Sequence, residues 1–178
     1  MCSKLNYIIV GPFHHIIFEV RKTIMQNVTN LVNQQLDSLL ENETDLISNM
    51  ANAAALLQVS LEDINWVGFY RYVPANDELI LGPFQGNVAC MHIKNGDGVC
   101  GTALKQKHSL RVADVHQFAG HIACDANSNS ELVVPLFKDG KALGVLDIDS
   151  PSLDRFSSED EQVLNQFADI FVKHVDLQ

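Results

Sequence analysis

Residues 131–151 read ELVVPLFKDGKALGVLDIDSP. Two apolar, β-branched segments flank a Lys-Asp-Gly turn, which is the signature of a β-hairpin. A three-residue loop, Lys138-Asp139-Gly140 with Gly140 left-handed, joins strands at 131–137 and 141–149. That register pairs Phe137 with Lys141, and therefore Glu131 with Asp147. Asp149 lies two residues on and shares their face, because strand side chains alternate. A two-residue loop at Asp139-Gly140 would instead put Glu131 and Asp147 on opposite faces. The carboxylate cluster thus depends on the turn.

The segment 114–130 before the hairpin has few regular signals and contains Cys124. A loop of that length in a compact domain is often functional. Leu110 to Ala113 reads as a short strand. Three of the four cysteines, Cys90, Cys100 and Cys124, follow a C-x9-C-x23-C spacing. Val88 to Ile93 reads as a strand carrying Cys90. Gly96-Asp97-Gly98 is a turn, and Val99 to Gln106 fits a short helix with Cys100 in its first turn. A helix N-terminus favours a thiolate there.

Asn65 to Tyr72 is an aromatic and β-branched strand, Pro74 to Asp77 a turn, and Glu78 to Leu81 the return strand. Trp66, Gly68, Tyr70 and Tyr72 share one face. Gly68 leaves a gap between two rings, which would admit a small apolar group or simply be filled by core. Helical spacing runs from Thr23 to Leu40 and from Glu43 to Leu57, where Thr44 serves as a cap. Both helices fit core and could also support a dimer. A last helix starts near Ser158, with Ser158 and Glu161 as a capping box. Residues 1–22 are an extension of mixed character, with Cys2 a bystander and His14 and His15 exposed. The fold class is therefore α+β: a single domain over 23–178, with helices flanking a mostly antiparallel sheet.

The bulk numbers narrow the function. At 178 residues, 47% hydrophobic and 19% charged, the chain is globular and sized for one domain. A net charge of -10 without a basic stripe argues against nucleic acid. No run reaches the roughly 18 apolar residues of a membrane helix. The apolar start is broken by Gly11, Pro12, His14 and His15, unlike a signal peptide. A cytoplasmic, reducing setting is expected, where thiols are catalytic, metal-binding or buried.

Three thiols and three carboxylates near one pocket suggest redox chemistry on a small molecule. A thiolate can attack an electrophilic sulfur. If that sulfur carries oxygen, the oxygen must be protonated or strongly hydrogen-bonded to leave. Carboxylates crowded on one face repel each other, so one holds a proton at neutral pH. The oxidised nucleophile is a sulfenic acid, which condenses with a second thiol. Two bland readings compete: buried inert thiols, and a solvated strand end for Asp147 and Asp149. A zinc site from Cys90, Cys100, Cys124 and His92 or His121 is a third, though no C-x2-C spacing supports it.

NWVGFYRY (Asn65 to Tyr72), GDGVCGTAL (Gly96 to Leu104), Cys124, SELVVPLF (130–137) and GVLDIDSP (144–151) together resemble the free methionine-(R)-sulfoxide reductases, which are GAF-domain enzymes. The resemblance implies a GAF-like fold and a substrate of free L-methionine-(R)-S-oxide. It implies that Cys124 attacks the sulfoxide, that Cys90 closes a disulfide with it, and that Cys100 is auxiliary. Trp66 and Tyr70 would wall the pocket, with the substrate methyl over Gly68. Glu131, Asp147 and Asp149 would hold the sulfoxide oxygen and the amino group. Thioredoxin recycles such enzymes, many are homodimers, and neither cofactor nor metal is implied. The competing class is a GAF sensor for a ligand such as a nucleotide. Two aspartates at the end of the pocket strand are hostile to phosphate, and a sensor leaves the thiols unexplained.

Overall fold

Alternation along the central strands sorts their side chains onto two faces, and the two faces differ in composition. The computed structural model describes residues 31–176. The boundary at 22/23, Cys2, His14, His15 and the start of the predicted helix at Thr23 lie outside the described residues. In chain order the elements are helix α1 (31–39), α2 (Leu46–Ser60), β1 (Trp66–Val73), β2 (Glu78–Gly86), β3 (His92–Lys94), α3 (Gly98–Gln106) and β4 (Leu110–Val112). A 3-10 turn at Val115–Gln117, β5 (Ser130–Lys138), β6 (Lys141–Ser150) and α4 (Ser158–Lys173) follow. The sheet order is β3-β2-β1-β6-β5-β4. Every strand pair is antiparallel.

One face carries Val67, Phe69, Leu132, Val134, Leu146 and Ile148. Against it pack α1 through Val32 and Leu36, with Leu40 just after it, α2 through Met50, Ala53, Ala54 and Leu57, and α4 through Leu164, Phe167 and Phe171. Phe69 stacks on Phe171 with ring centroids 4.9 Å apart. The small residues Ala53 and Ala54 let α2 lie close to the sheet, whereas Ala51 and Ala55 face solvent. Leu31, Leu39 and Ile47 are also exposed. Buried Asn49 donates to the backbone carbonyls of Glu43 and His174, each at 3.1 Å, and ties α2 to the end of α4. The other face carries Trp66, Tyr70, Val133 and Val145, packed against Val99, Cys100, Ala103 and Leu104 of α3.

Several boundaries differ from the sequence reading. Helix α2 starts at Leu46, not Glu43, because Asp45 rather than Thr44 caps it by accepting from the Ser48 amide at 2.7 Å. The capping box of α4 is Ser157 with Asp160, one residue earlier than Ser158 with Glu161. Strand β2 runs past Leu81 to Gly86, with Gly82-Pro83 opposite Phe69 in a bulge where a missing proline N–H costs no ladder bond. Cys90 is not in a strand. Val88 to Cys90 is irregular, and β3 begins only at His92.

The hairpin turn also differs. Lys138 pairs with Lys141, so the loop is the two-residue Asp139-Gly140. Both residues have positive φ, 50° and 76°, as a type I′ turn requires. Alone, that turn would separate Glu131 from Asp147. A bulge between Leu136 and Phe137 then shifts the register by one, so that Leu136 faces Gly144 and Glu131 faces Asp149. The predicted Glu131–Asp147 pair is therefore replaced by Glu131–Asp149 and Val133–Asp147, and all three carboxylates return to one face. The bulge needs Gly144, whose φ is 152° and where a Cβ would collide with the Tyr70 carbonyl.

Candidate active site

Strand register brings the carboxylates beside the aromatics. Asp149 lies between Trp66 on β1 and Glu131 on β5, and Asp147 lies between Gly68 and Val133. Trp66, Tyr70, Glu131, Asp147 and Asp149 line one cavity together with Cys100, Cys124, His121, Asp125 and Ser128. Its free volume is only about 30 Å³. The structure brings together Cys124, Cys100, Trp66, Tyr70, Glu131, Asp147 and Asp149. It joins Cys90 to Cys124 by a disulfide with Cα atoms 5.3 Å apart.

The aromatic wall forms, but the gap over Gly68 is closed. Trp66 stacks on Tyr70 at 5.9 Å and on Phe84 at 5.3 Å. A Cβ at Gly68 would fall against the Phe84 side chain and 2.8 Å from the Trp66 ring. Glycine here serves close ring packing, and Phe84 fills the space the sequence reading left open. The Trp66 indole donates to the Asn87 carbonyl at 3.1 Å, which fixes the ring.

The carboxylates are strongly perturbed. Burial, then the charges of Asp147 and Asp149, push Glu131 well above the usual carboxylate range. Burial raises Asp147 to about 6, opposed by hydrogen bonds from Cys100, Glu131 and the Ile148 amide. Asp149 is pushed well up by burial and by Asp147, against a hydrogen bond from Ser128. This group therefore retains protons near neutrality. One oxygen of Asp147 is buried without a hydrogen-bond partner.

Cys100 does sit in the first turn of α3, but its environment reverses the expected effect. It is buried, and its thiol donates to Glu131 Oε1 at 3.8 Å. Burial, followed by the charges of Asp147 and Glu131, raises its pKa well above the ordinary thiol value. A helix end carries only about half a unit charge, too little to offset burial among carboxylates. Cys100 is held as a thiol.

The four-ligand zinc set is not assembled. Cys90 and Cys124 are spent in the disulfide, and His92 is exposed beside Glu78 at 3.5 Å. Among the described residues, the group able to hold a metal ion is Cys100, Glu131 and Asp147, with ligand atoms within 4.8 Å of one another.

Sequence reasoning missed the polar brace behind Cys124. Asn65 Nδ2 donates to Asp125 Oδ2 at 3.2 Å and to Ser128 Oγ at 3.0 Å. Asn87 Nδ2 reaches the same Asp125 oxygen at 3.1 Å. Ser128 in turn bonds Asp149. Hydrogen bonds, that of the Asn127 amide first, hold Asp125 below the usual carboxylate range. The run Asp125-Ala126-Asn127-Ser128 carried turn chemistry as the available signal. The two asparagines that anchor it lie 38 or more residues away.

Comparison with known proteins agrees with this geometry. The GAF domain family matches residues 35–174. The free methionine-R-sulfoxide reductase of Escherichia coli (strain K12) is 51% identical over 135 residues, 76% of this chain and 81% of that protein. The free methionine-R-sulfoxide reductase of Saccharomyces cerevisiae is 40% identical over 171 residues, 90% of this chain and 94% of that protein. The X-ray structure of free methionine-R-sulfoxide reductase from Neisseria meningitidis, in complex with its substrate, superposes with a TM-score of 0.79 at 44% identity, covering 82% of this chain and 87% of that one. An α+β sheet of this order with matches at these levels places the chain in the GAF domain family and, within it, among the free methionine-R-sulfoxide reductases.

Proposed function

We propose that this chain reduces free L-methionine-(R)-S-oxide to L-methionine, with residues 23–178 as the catalytic domain. The observation that carries the reading is that Cys124, joined to Cys90, lines a cavity together with the carboxylates Glu131, Asp147 and Asp149.

In this scheme the reduced enzyme binds the sulfoxide with its methyl group toward Trp66 and Tyr70. Glu131, Asp147 and Asp149 hold the sulfoxide oxygen and the substrate ammonium. The Cys124 thiolate attacks the sulfur while the acidic group protonates the oxygen. The hydroxyl then passes to Cys124: the substrate S–O bond and the new Cys124–sulfur bond break as a Cys124 S–O bond forms, which releases methionine and leaves Cys124 as a sulfenic acid. The Cys90 thiol then attacks Cys124 sulfur, forming the disulfide and releasing water. Two thiols are oxidised by two electrons for each sulfoxide reduced. Thioredoxin, a dithiol reductant, returns the pair to thiols through a mixed disulfide. Cys100 is auxiliary: its protonated thiol hydrogen-bonds Glu131 Oε1 beside the acidic group. Such a cycle suits a reducing cytosol. The exposed apolar residues of α1 and α2 would suit a homodimer. No helix among the described residues is long and apolar enough to cross a membrane.

The test is to give the reduced protein the separate R and S epimers of free methionine sulfoxide, with dithiothreitol as reductant. Methionine should form from the R epimer alone, and Cys124→Ser should abolish it. Methionine from neither epimer, with folded protein and reduced thiols, would reject the reading.

A further inference from the structure

A free amino acid differs from the same residue within a chain by two charges, an ammonium and a carboxylate. The cavity is generous to the first. Asp125, Glu131, Asp147 and Asp149 all line it, and no lysine or arginine is among the described residues that do. One lining side chain can carry a positive charge, and that is His121. It sits three residues before Cys124 on the same loop. The loop is shaped there by backbone bonds from the His121 amide to the Phe118 carbonyl at 3.1 Å and from the Cys124 amide to the Ile122 carbonyl at 2.9 Å.

The ring of His121 is oriented but not engaged. It packs edge-on against His116 with centroids 6.5 Å apart. His116 in turn is fixed by a 2.9 Å contact between Nε2 and Asn129 Oδ1. No side-chain hydrogen bond to the His121 ring is made among the described residues, so its ring nitrogens are available to a ligand. Partial burial, then His116, holds its pKa below the usual histidine range. An arriving carboxylate reverses that balance by favouring the protonated ring. The first residues of α3, Gly98 to Cys100, line the same cavity, and the Asp97 side chain leaves that helix end uncapped. Their free amides add a partial positive charge to the same space.

From this charge pattern, and resting on the reductase reading above, we infer that His121 receives the substrate carboxylate and makes the enzyme selective for the free amino acid. A methionine sulfoxide within a peptide has a neutral amide in that position and gains nothing from His121.

The experiment compares methionine-(R)-sulfoxide with its carboxamide, in which only the carboxylate is neutralised, on wild type, His121→Ala and His121→Lys. Wild type should favour the acid. His121→Ala should raise KM for the acid about tenfold, the range of a lost charge-assisted hydrogen bond, with the amide KM and both kcat values nearly unchanged. His121→Lys, which retains a cation, should recover the preference. An acid-to-amide ratio unchanged in His121→Ala, or both KM values raised alike, would overturn the inference while leaving the reductase reading intact. A folded, reduced wild type that turns over neither compound would overturn both.

Discussion

The two faces of the sheet are made by the same strands, yet they bury opposite kinds of side chain. On the helical face, β6 contributes Leu146 and Ile148 to an apolar core closed by α1, α2 and α4. On the other face, the same strand contributes Val145, then Asp147 and Asp149 beside Trp66 and Tyr70. The first face gains stability from every group it buries. The second gives stability up, because burying carboxylates costs free energy unless they keep their protons. A rigid apolar face thus holds a strained acidic one in position, and substitutions on the two faces should separate activity from stability.

The sharpest separation is expected at Glu131. Glu131→Gln keeps the shape but cannot deliver a proton, so kcat should fall by about 10²–10⁴ while the thermal midpoint holds or rises. Steady-state kinetics with the R epimer, beside a melting curve, reads both. Phe69→Ala on the other face should do the reverse. Deleting a fully buried ring stacked on Phe171 should cost about 3–5 kcal/mol in denaturant unfolding, with kcat per folded molecule near wild type. A large loss of kcat there would mean that the faces are coupled.

Asp147 gives a smaller effect with a definite pH sign. Its folded pKa of about 6 lies above the unfolded value of 3.8, so between those values the native state binds more protons than the unfolded one. Stability should therefore fall as pH rises through that window. Asp147→Asn should make this slope shallower, the remainder coming from Glu131 and Asp149, whose pKa values are also raised. The variant should be on the order of 2 kcal/mol more stable than wild type at pH 7, relative to their difference at low pH, with reduced turnover. Unfolding curves at several pH values decide it. Smallest is Ser157→Ala, which removes the capping box of α4 and should cost about 1 kcal/mol without touching KM.

Much of this contrast was legible in the sequence where local chemistry decides structure. The alternation in 65–72 and 131–149 gave the strands. The C-x9-C-x23-C set and three acidic residues pointed to the candidate site, through resemblance as much as through spacing. What escaped depended on tertiary partners. Asp139-Gly140 formed the tighter turn, and only Gly144, pressed against the Tyr70 carbonyl, restored the face of the carboxylates. Cys90 lay outside a strand, and the Cys100 thiol was raised rather than lowered because α3 points into buried acids. Asp125 and Ser128 are held by Asn65 and Asn87, whose proximity no local pattern encodes.

The central claim is that Cys124 attacks and Cys90 resolves beside the acidic face. Its most direct test is a single turnover of fully reduced protein with excess methionine-(R)-sulfoxide and no other reductant, followed by peptide mapping of the disulfides. The account predicts one methionine per chain and one Cys90–Cys124 disulfide, with Cys100 still a free thiol. Methionine formed while Cys124 remains a free thiol, with the new disulfide joining Cys90 to Cys100, would contradict it.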